Sequence, residues 1–369
     1  MRFSVNTKEL NEALSIVMKA MPAHSSISIL EGVYMYASNN KLFMKCSDLS
    51  LQIETEIPAF VEEEGGAVLT GRVFPELVRR FSGETVDFSG EKATVNVCSN
   101  RSNTSFQSPD TADYPEMKRV DEEFSAEISQ NKLKNMIRQT IYAVSTEEAK
   151  PILNGVCLEF GEDGILKMVA IDGFRVAIRR EKIENCTGKK SVVIHARAMQ
   201  EISNILSNGE EKIKLVFSNT HIKIDFGHTR IISRLMEGDY VNYSGFIRDT
   251  HNCYALVDCR ELQESIERVS LLAREAKSNS IKFSFSEDQL SLTANSEKGS
   301  IDDSITAQLI GQPIDIAFNS KYILEAVKFI EDESIYLKMN TSVTPCIIEP
   351  VEGNAFYYMV LPVRMFTGV

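Results

Sequence analysis

Cys157, His195 and Asp172 are the side chains of this sequence whose chemistry could support catalysis. A cysteine and a histidine can form a thiolate–imidazole pair, and a carboxylate can act as a general acid or base. Cys157 lies in an alternating segment typical of a buried strand, where a thiol is usually inert. Asp172 precedes Gly173 in "AIDGFRV", a pattern more typical of a turn. We therefore expect no catalytic residue, and an enzyme that uses one of these three residues stays as an alternative.

The sequence also lacks the motifs that usually accompany cofactors. GxxxxGK[ST], HExxH and GxSxG do not occur, and the five histidines show no metal-ligand spacing. The seven cysteines are scattered and include no CxxC, which excludes a disulfide framework and a zinc site. We expect no cofactor and no metal, and this cysteine usage favours a reducing cytoplasm. The first residues show no apolar signal segment, and no apolar run is long enough to cross a membrane.

Positive charge collects on several predicted helices, although the 369-residue chain has a formal net charge of −12. This acidic balance argues against a simple basic nucleic-acid-binding protein but leaves room for a local basic patch. Lys134 and Arg138 are four residues apart with no acid near them, which costs an isolated helix about 0.2–0.5 kcal/mol unless an anion is close. On a single helix such charges indicate an ordinary solvated face. Their meaning therefore depends on how the helices are arranged.

The elements that must position these residues alternate between two hydrophobic periods. Stretches such as "ELNEALSIV" and "KLKNMIRQTI" place apolar residues at helical spacing. The period then changes to two: in "KIKLVFSNTHIKIDFG" apolar residues alternate on both sides of a Ser-Asn-Thr turn, which predicts a β-hairpin. "IKFSFSEDQLSLTA" predicts another. Each helix is therefore expected to lead into antiparallel strands with one buried face.

The chain repeats this arrangement. "ILEGV" at 29–33 returns as "ILNGV" at 152–156, and each follows a predicted helix. A second strand–turn–helix unit occurs in each third, in "GAVLTGRVFPELVRRF", "SVVIHARAMQEISNIL" and "IDIAFNSKYILEAVKFI". The distance between the two pentapeptides, about a third of the chain, is too long for one repeat of a solenoid and indicates a duplicated domain. We predict an α+β fold of three tandem domains, 1–121, 122–249 and 250–369, each built from two β-α-β-β-β halves.

Several segments closely resemble one protein family, and the resemblance covers the whole chain. The segments "SDLSLQIE", "ILNGV", "AIDGFRVAI", "EGDYVNY" and the ending "YYMVLPVRM" are similar to bacterial sliding clamps, the beta subunits of DNA polymerase III. The resemblance implies three DNA-clamp domains per chain and a head-to-tail homodimeric ring, with helices inside and sheets outside. It implies a non-catalytic, cytoplasmic processivity factor that encircles duplex DNA without sequence preference and slides freely.

The resemblance also implies partners and a site for them. The replicative polymerase, the clamp loader and repair proteins would dock short linear peptides in an apolar pocket that a few polar groups orient. The pocket residues are Leu153, Ile171, Gly173, Phe174, Arg175, Val176, Val241, Phe246, Val343, Pro345, Met359, Leu361, Pro362 and Arg364. Pro345 replaces the small polar residue often found in the family, and "FTGV" extends beyond the usual end. The alternative function is a β-rich peptide-binding adaptor that does not encircle DNA.

Two further residue sets follow. By resemblance or by helix position, the DNA-facing residues are His24, Arg79, Arg80, Lys134, Arg138, Lys150, Arg197 and Lys321. His24 stands where the family can carry an arginine. The residues expected at the dimer joint are Arg72, Arg101, Thr104 and Phe106 of one chain and Leu271, Leu272, Glu297, Asp302 and Asp303 of the other. An apolar centre with a charged rim is a common design for such a joint.

Overall fold

The computed structural model describes residues 1–91, 93–247 and 250–364. In this part of the chain, six α-helices alternate with groups of β-strands. The first third contains β1 (Arg2–Asn6), α1 (Thr7–Val17), β2 (Gly32–Ser38), β3 (Lys41–Ser47), β4 (Leu51–Pro58), β5 (Phe60–Glu63), β6 (Gly65–Thr70), α2 (Phe74–Val78), β7 (Thr85–Glu91), β8 (Thr94–Ser99) and β9 (Ser102–Gln107).

The other two thirds repeat this order without a counterpart of β5. The second contains β10 (Phe124–Ser129), α3 (Gln130–Arg138), β11 (Gly155–Phe160), β12 (Ile165–Ile171), β13 (Arg175–Lys182), β14 (Lys190–His195), α4 (Ala196–Ile205), β15 (Lys212–Phe217), β16 (His221–Phe226) and β17 (Thr229–Met236). The last contains β18 (Cys253–Asp258), α5 (Cys259–Ala273), β19 (Ser280–Phe285), β20 (Gln289–Ser296), β21 (Gly299–Ile310), β22 (Ile314–Asn319), α6 (Ser320–Val327), β23 (Ser334–Met339), β24 (Cys346–Pro350) and β25 (Phe356–Val360).

Three strands pass directly into helices, and the last residue of each strand also caps its helix. Asn6 accepts hydrogen bonds from two N–H groups of the first turn of α1, and Asp258 accepts one from α5. Asn319 does the same for α6. A capping side chain satisfies N–H groups that have no partner within the helix. The sequence therefore switches from strand to helix at a single polar residue.

The six predicted β-α-β-β-β halves are confirmed, and they pair in the same way three times. The first strand of each opening half pairs with the second strand of the closing half, in β1–β7, β10–β15 and β18–β23. The second strand of each opening half pairs with the first strand of the closing half, in β2–β6, β11–β14 and β19–β22. All these pairs are antiparallel. The internal repeat read from the sequence is therefore a repeat of strand topology.

The chain packs into two compact units. The first comprises Met1–Gln130, Asn185–Thr187 and Asn204–Leu235, and contains the sheets β5-β1-β7-β8-β9 and β6-β2-β3-β4-β17-β16-β15-β10. The second comprises Asn131–Glu184, Gly188–Ser203 and the described residues from Met236 onward. Its strands follow the order β14-β11-β12-β13-β25-β24-β23-β18-β21-β20-β19-β22. This division follows packing and not the repeat, so the predicted domain limits stay a prediction.

Two strand pairs join successive copies of the repeat. In the first unit the last strand of one opening half, β4, pairs with the last strand of the next copy, β17. In the second unit β13 pairs with β25 in the corresponding way. Each joint therefore extends one sheet from copy to copy.

Candidate functional site

An apolar groove lies beside the β13–β25 joint and has a cavity volume of about 310 Å³. This volume is at the lower end of the range for ligand pockets, about 300–1,000 Å³. Ten of the fourteen predicted pocket residues line it: Leu153, Ile171, Gly173, Arg175, Val176, Val241, Phe246, Pro345, Met359 and Leu361. The second unit therefore brings together residues that are almost 210 positions apart in the chain, although the ligand that they bind stays a prediction.

Three neighbouring strands form the floor of the groove. Ile171 on β12 is paired with Val176 on β13, and Val176 is paired with Met359 on β25. Leu153 lies in the 3-10 turn Pro151–Asn154 immediately before β11. Its backbone carbonyl accepts a hydrogen bond from the N–H of Ser145. These side chains belong to one apolar cluster with Tyr243. The floor is thus continuous with the apolar core of the second unit.

The other four predicted pocket residues lie outside the lining. Phe174 is exposed on the β12–β13 turn and stacks on Tyr322, with ring centroids 6.0 Å apart. Val343 and Arg364 are exposed, and Pro362 is half-buried. The backbone carbonyl of Phe174 accepts a hydrogen bond from the N–H of Leu361 (2.9 Å), which links the turn to the residue that follows β25. These four residues are therefore candidates for the rim.

The Arg175 side chain is held by three groups of its own chain. Its side chain is buried, its Nε donates to Asp172 (2.8 Å), and its Nη1 donates to Glu325 (2.5 Å). Its Nη2 donates to the carbonyl oxygen of Tyr142. Burial opposes the charge, but the hydrogen bonds to Glu325 and Asp172 outweigh it, so the pKa of Arg175 is raised. Arg175 therefore lines the groove and also connects Asp172, Glu325 and the backbone of Tyr142.

Two further residues line the groove. Lys150 was expected to face DNA, yet it stands at the groove together with Leu153. Gly245 was not expected, and it lies in the 3-10 turn Ser244–Phe246. The sequence offered a signal for Gly245, since it immediately precedes the predicted pocket residue Phe246. Lys150 adds an exposed positive charge to a lining whose other cation, Arg175, is buried and paired with acids.

The equivalent β4–β17 joint in the first unit is filled by polar contacts. Gln52 stands where the groove has Val176, and its Oε1 accepts a hydrogen bond from the N–H of Lys118 (3.0 Å). Lys45 Nζ donates to the carbonyl oxygen of Pro115 (3.1 Å) and lies 4.3 Å from the ring centroid of Tyr34. The segment after β9, at residues 115–118, is thereby held against the β4–β17 joint. Similar topology therefore gives different surfaces at the two joints.

The DNA-facing candidates of the first unit are exposed and partly neutralised. His24 Nδ1 lies 3.3 Å from Arg72 Nη2, so a predicted DNA residue contacts a predicted joint residue. Arg79 and Arg80 follow α2 and both form ion pairs with Glu76, at 2.7 and 3.9 Å. Ion pairs between exposed side chains are weak, about 0–1 kcal/mol. These arginines therefore stay available to a stronger anion.

The candidates of the second unit lie on three helices. Lys134 and Arg138 are on α3, Arg197 is in the first turn of α4, and Lys321 is in the first turn of α6. The guanidinium of Arg138 lies 4.7 Å from the ring centroid of Phe329, a cation–π contact. All except the half-buried Lys134 are exposed.

The predicted joint residues lie at two strand edges and on α5. Arg101, immediately before β9, and Thr104 within it reach the surface, but Phe106 is buried, with its ring centroid 6.0 Å from that of Phe74. Phe106 packs within its own sheet at the β9 edge, and its contact with a partner chain stays a prediction. Leu271 is 68% exposed while Leu272 is half-buried, as the helical spacing predicts.

The acidic side of the predicted joint is on and before β21. Glu297 and Asp302 are exposed. Asp303 accepts a hydrogen bond from Arg268 of the same chain (2.7 Å). Burial works against its charge, but this hydrogen bond outweighs it, and the pKa of Asp303 is lowered. Asp303 is therefore a partly satisfied carboxylate, unlike the other two.

The candidate catalytic residues have structural surroundings. Burial raises the pKa of the Cys157 thiol to about 11, so the thiol is protonated at neutral pH. The strand register pairs Cys157 with Val193, whereas His195 is opposite Gly155. The Asp172 carboxylate accepts the N–H groups of Phe174 and Arg175, as a turn residue does.

Residues 1–91, 93–247 and 250–364 show neither a metal-ion site nor a membrane-spanning helix. No group of three or more His, Cys, Asp or Glu side chains in these ranges is arranged to hold a metal ion. No helix within the same ranges has the length and apolar character that a membrane span needs.

Comparison with known proteins agrees with the topology. Family models for the N-terminal, central and C-terminal domains of the DNA polymerase III beta subunit match residues 1–118, 127–242 and 247–364. The chain is 29% identical to the beta sliding clamp of Staphylococcus aureus, over 99% of this chain and 100% of that protein.

Solved structures give the same result. The crystal structure of the Bacillus subtilis DNA polymerase sliding clamp superposes with a TM-score of 0.94, at 29% identity, over 99% of this chain and 100% of that one. A Pseudomonas aeruginosa sliding clamp bound to griselimycin superposes with a TM-score of 0.91, at 20% identity and with the same coverage.

Proposed function

Because the chain belongs to the DNA polymerase III beta subunit family, we propose that it is a processivity factor for DNA replication. It acts as a non-catalytic homodimeric ring that encircles duplex DNA in the bacterial cytoplasm and binds partner peptides in the apolar groove. The observation that carries the proposal is the strand joint that repeats along the chain. The repeated joint supports pairing with a second chain, and two such pairings would close a ring. The apolar groove supports the docking of partner peptides.

The repeated joint leaves one pairing unmade. β4 pairs with β17 and β13 pairs with β25, so by the same rule β21 should pair with β9. β9 is an edge of its five-stranded sheet, and residues 299–306 of β21 pair with β20 alone among the described strands. Unpaired edges favour association with another chain. We therefore infer that β21 of one chain pairs with β9 of a second chain, twice, which closes a head-to-tail ring.

The side chains near these edges suit such a joint. Leu271 is an exposed apolar residue on α5, which packs on β20 and β21. Arg72 and Arg101 on one side would face Glu297 and Asp302 on the other. Opposite charges at the rim give orientation and association rate more than affinity. Burying Leu271 supplies an apolar contact at the centre.

A ring would hold DNA by topology and not by tight contacts. Phosphate contacts carry no sequence information, and many strong ones would make binding steeply dependent on salt. Arg79, Arg80, Arg138, Arg197 and Lys321 are few, exposed and in part paired with acids. Weak, sequence-independent attraction of this kind permits sliding. The proposed lining therefore guides DNA without fixing it.

The groove supports peptide docking by partners such as the replicative polymerase, the clamp loader and repair proteins. It is concave, largely apolar and preformed, with Lys150 as the exposed cation in its lining. Short linear peptides bind such grooves through a few apolar anchors. Griselimycin is bound in the structure of the Pseudomonas aeruginosa relative, and we propose it as a probe ligand for the groove of this chain.

The experiment that tests the proposed function is retention on DNA of two topologies. The protein is loaded by a clamp loader onto a nicked circular plasmid and separated from free protein by gel filtration. We expect it to stay with the circle and to leave when one restriction cut linearises the plasmid. Equal retention on both forms would indicate ordinary DNA affinity, and no retention on the circle would favour the peptide-binding adaptor.

A further inference from the structure

The wall of the groove at the β12–β13 turn is held from outside the groove. The turn comprises residues 172–175, and its Gly173 adopts φ +92°, a conformation that side chains disfavour. The Asp172 carboxylate binds the backbone N–H groups of Phe174 and Arg175 and also Arg175 Nε. The turn backbone and the Arg175 side chain are therefore one hydrogen-bonded assembly.

Helix α6 fixes this assembly through two side chains that are three residues apart. Tyr322 stacks against Phe174, and the Arg175 guanidinium lies 4.4 Å from the Tyr322 ring centroid. Glu325 accepts the hydrogen bond from Arg175 Nη1. Residues at this spacing lie on one face of a helix. Glu325 is thus the carboxylate by which α6 holds the turn, although it does not line the groove.

The β12–β13 turn shapes the groove both through its own residues and through a hydrogen bond to a neighbouring lining residue. Gly173 and Arg175 line one side directly. The Phe174 carbonyl accepts the N–H of Leu361, a neighbouring lining residue that follows β25. Movement of the turn by a fraction of an ångström would therefore change the groove width. Affinity for a rigid ligand depends on such preorganisation.

From this geometry we propose that Glu325 is a positioning residue for the groove and acts through Arg175. The inference rests on the proposed function of the groove. Glu325 never touches the ligand. It holds Arg175 extended towards α6, and Arg175 with Asp172 holds the turn in the conformation that gives the groove its width.

Glu325→Gln and Glu325→Asp test this role, with Glu333→Gln as the matched control. Gln keeps the shape and loses the charge, and Asp keeps the charge but is too short to reach Arg175. Glu333 is exposed. Its backbone carbonyl accepts a hydrogen bond from the N–H of Cys259, which a change of side chain leaves in place. A role in charge balance alone predicts that Asp behaves as wild type.

The first readout needs no ligand. The chain contains no tryptophan, so Phe174→Trp places a single fluorophore on the turn. In this background we expect both Glu325 variants to shift the emission to longer wavelength and to increase acrylamide quenching. The Glu333 variant should leave both unchanged. Unchanged emission and quenching in the Glu325 variants would overturn the proposal.

The second readout is griselimycin affinity by titration calorimetry, with Phe174 native. We expect the two Glu325 variants to bind about five- to tenfold more weakly than wild type, because the turn must be ordered on binding. Circular dichroism should show the Glu325 variants folded like Glu333→Gln, with a lower urea unfolding midpoint because the buried guanidinium loses one partner. Wild-type affinity in both Glu325 variants overturns the positioning role alone, whereas absence of binding to the wild type overturns the groove assignment and this inference with it.

Discussion

Gly32 and Gly155 occupy equivalent positions in two copies of the repeat. Each follows a 3-10 turn and begins the strand that joins the two halves of its copy, opposite Thr70 and His195 respectively. A Cβ at Gly32 would lie 2.5 Å from Val68 Cγ1, and one at Gly155 would lie 2.6 Å from Val193 Cγ1. The repeated pentapeptide of the sequence therefore marks a repeated close contact between strands.

Alanine at either glycine should destabilise the fold. We expect Gly32→Ala and Gly155→Ala each to lower the free energy of unfolding by about 1–3 kcal/mol, because the added methyl overpacks a buried strand pair. Urea denaturation followed by circular dichroism measures the change. Gly245→Ala is the control, since a Cβ there has no atom within 4 Å. Equal midpoints for all three variants would contradict the close contact.

Leu153→Ala should weaken ligand binding in the groove. The substitution removes apolar contact worth about 1.5–3 kcal/mol when fully buried. This corresponds to roughly ten- to a hundredfold in the Kd for griselimycin. Titration calorimetry on the full chain gives the value, and Leu271→Ala, outside the groove lining, should bind as wild type. Loss of affinity in both variants, or in neither, would remove Leu153 from the site.

Leu271→Asp should open the proposed dimer joint. Leu271 is 68% exposed in the single chain, so a charge there leaves the fold intact but disfavours an apolar contact with a partner. Sedimentation velocity at low micromolar concentration should show wild type as a dimer and the variant as a folded monomer. Leu49→Asp alters another exposed leucine and should leave the dimer intact. A dimeric Leu271→Asp protein would place the joint elsewhere.

Charge reversal on α3 should shorten retention on circular DNA. Lys134→Glu combined with Arg138→Glu removes two cations from the proposed lining and adds two charges that repel phosphate. We expect faster dissociation from nicked circles at moderate salt, with the log–log salt slope reduced by about one unit for each phosphate that is no longer neutralised. Lys189→Glu reverses a cation outside the helices and serves as control. Retention equal to the control would exclude α3 from the lining.

Local periodicity explains how much of the fold could be predicted from the sequence. The two hairpins predicted from alternating residues are present, with Phe217 opposite Ile222 and Phe285 opposite Leu290. The polar turn at Asn39 and Asn40 has positive φ at both residues, as a tight hairpin turn requires. These features depend on residues that are close together in the chain, so the local alternation of apolar and polar residues is enough to predict them.

The features that could not be predicted depend on interactions between distant segments. The β4–β17 and β13–β25 joints link strands from different copies, and no local pattern encodes their register. No local pattern indicates the ion pair of the predicted pocket residue Arg175, because its partner Glu325 is 150 positions away. The packing of Phe106 against Phe74 likewise depends on how α2 packs on its sheet.

The most direct test of the central claim is electron microscopy of the purified protein at low micromolar concentration. The repeated strand joint predicts class averages of a closed two-chain ring with an open centre and a near six-fold outline, since each chain contributes three copies. Compact particles without a hole, or single chains with β9 and β21 unpaired, would contradict encirclement and leave the groove as the remaining functional site.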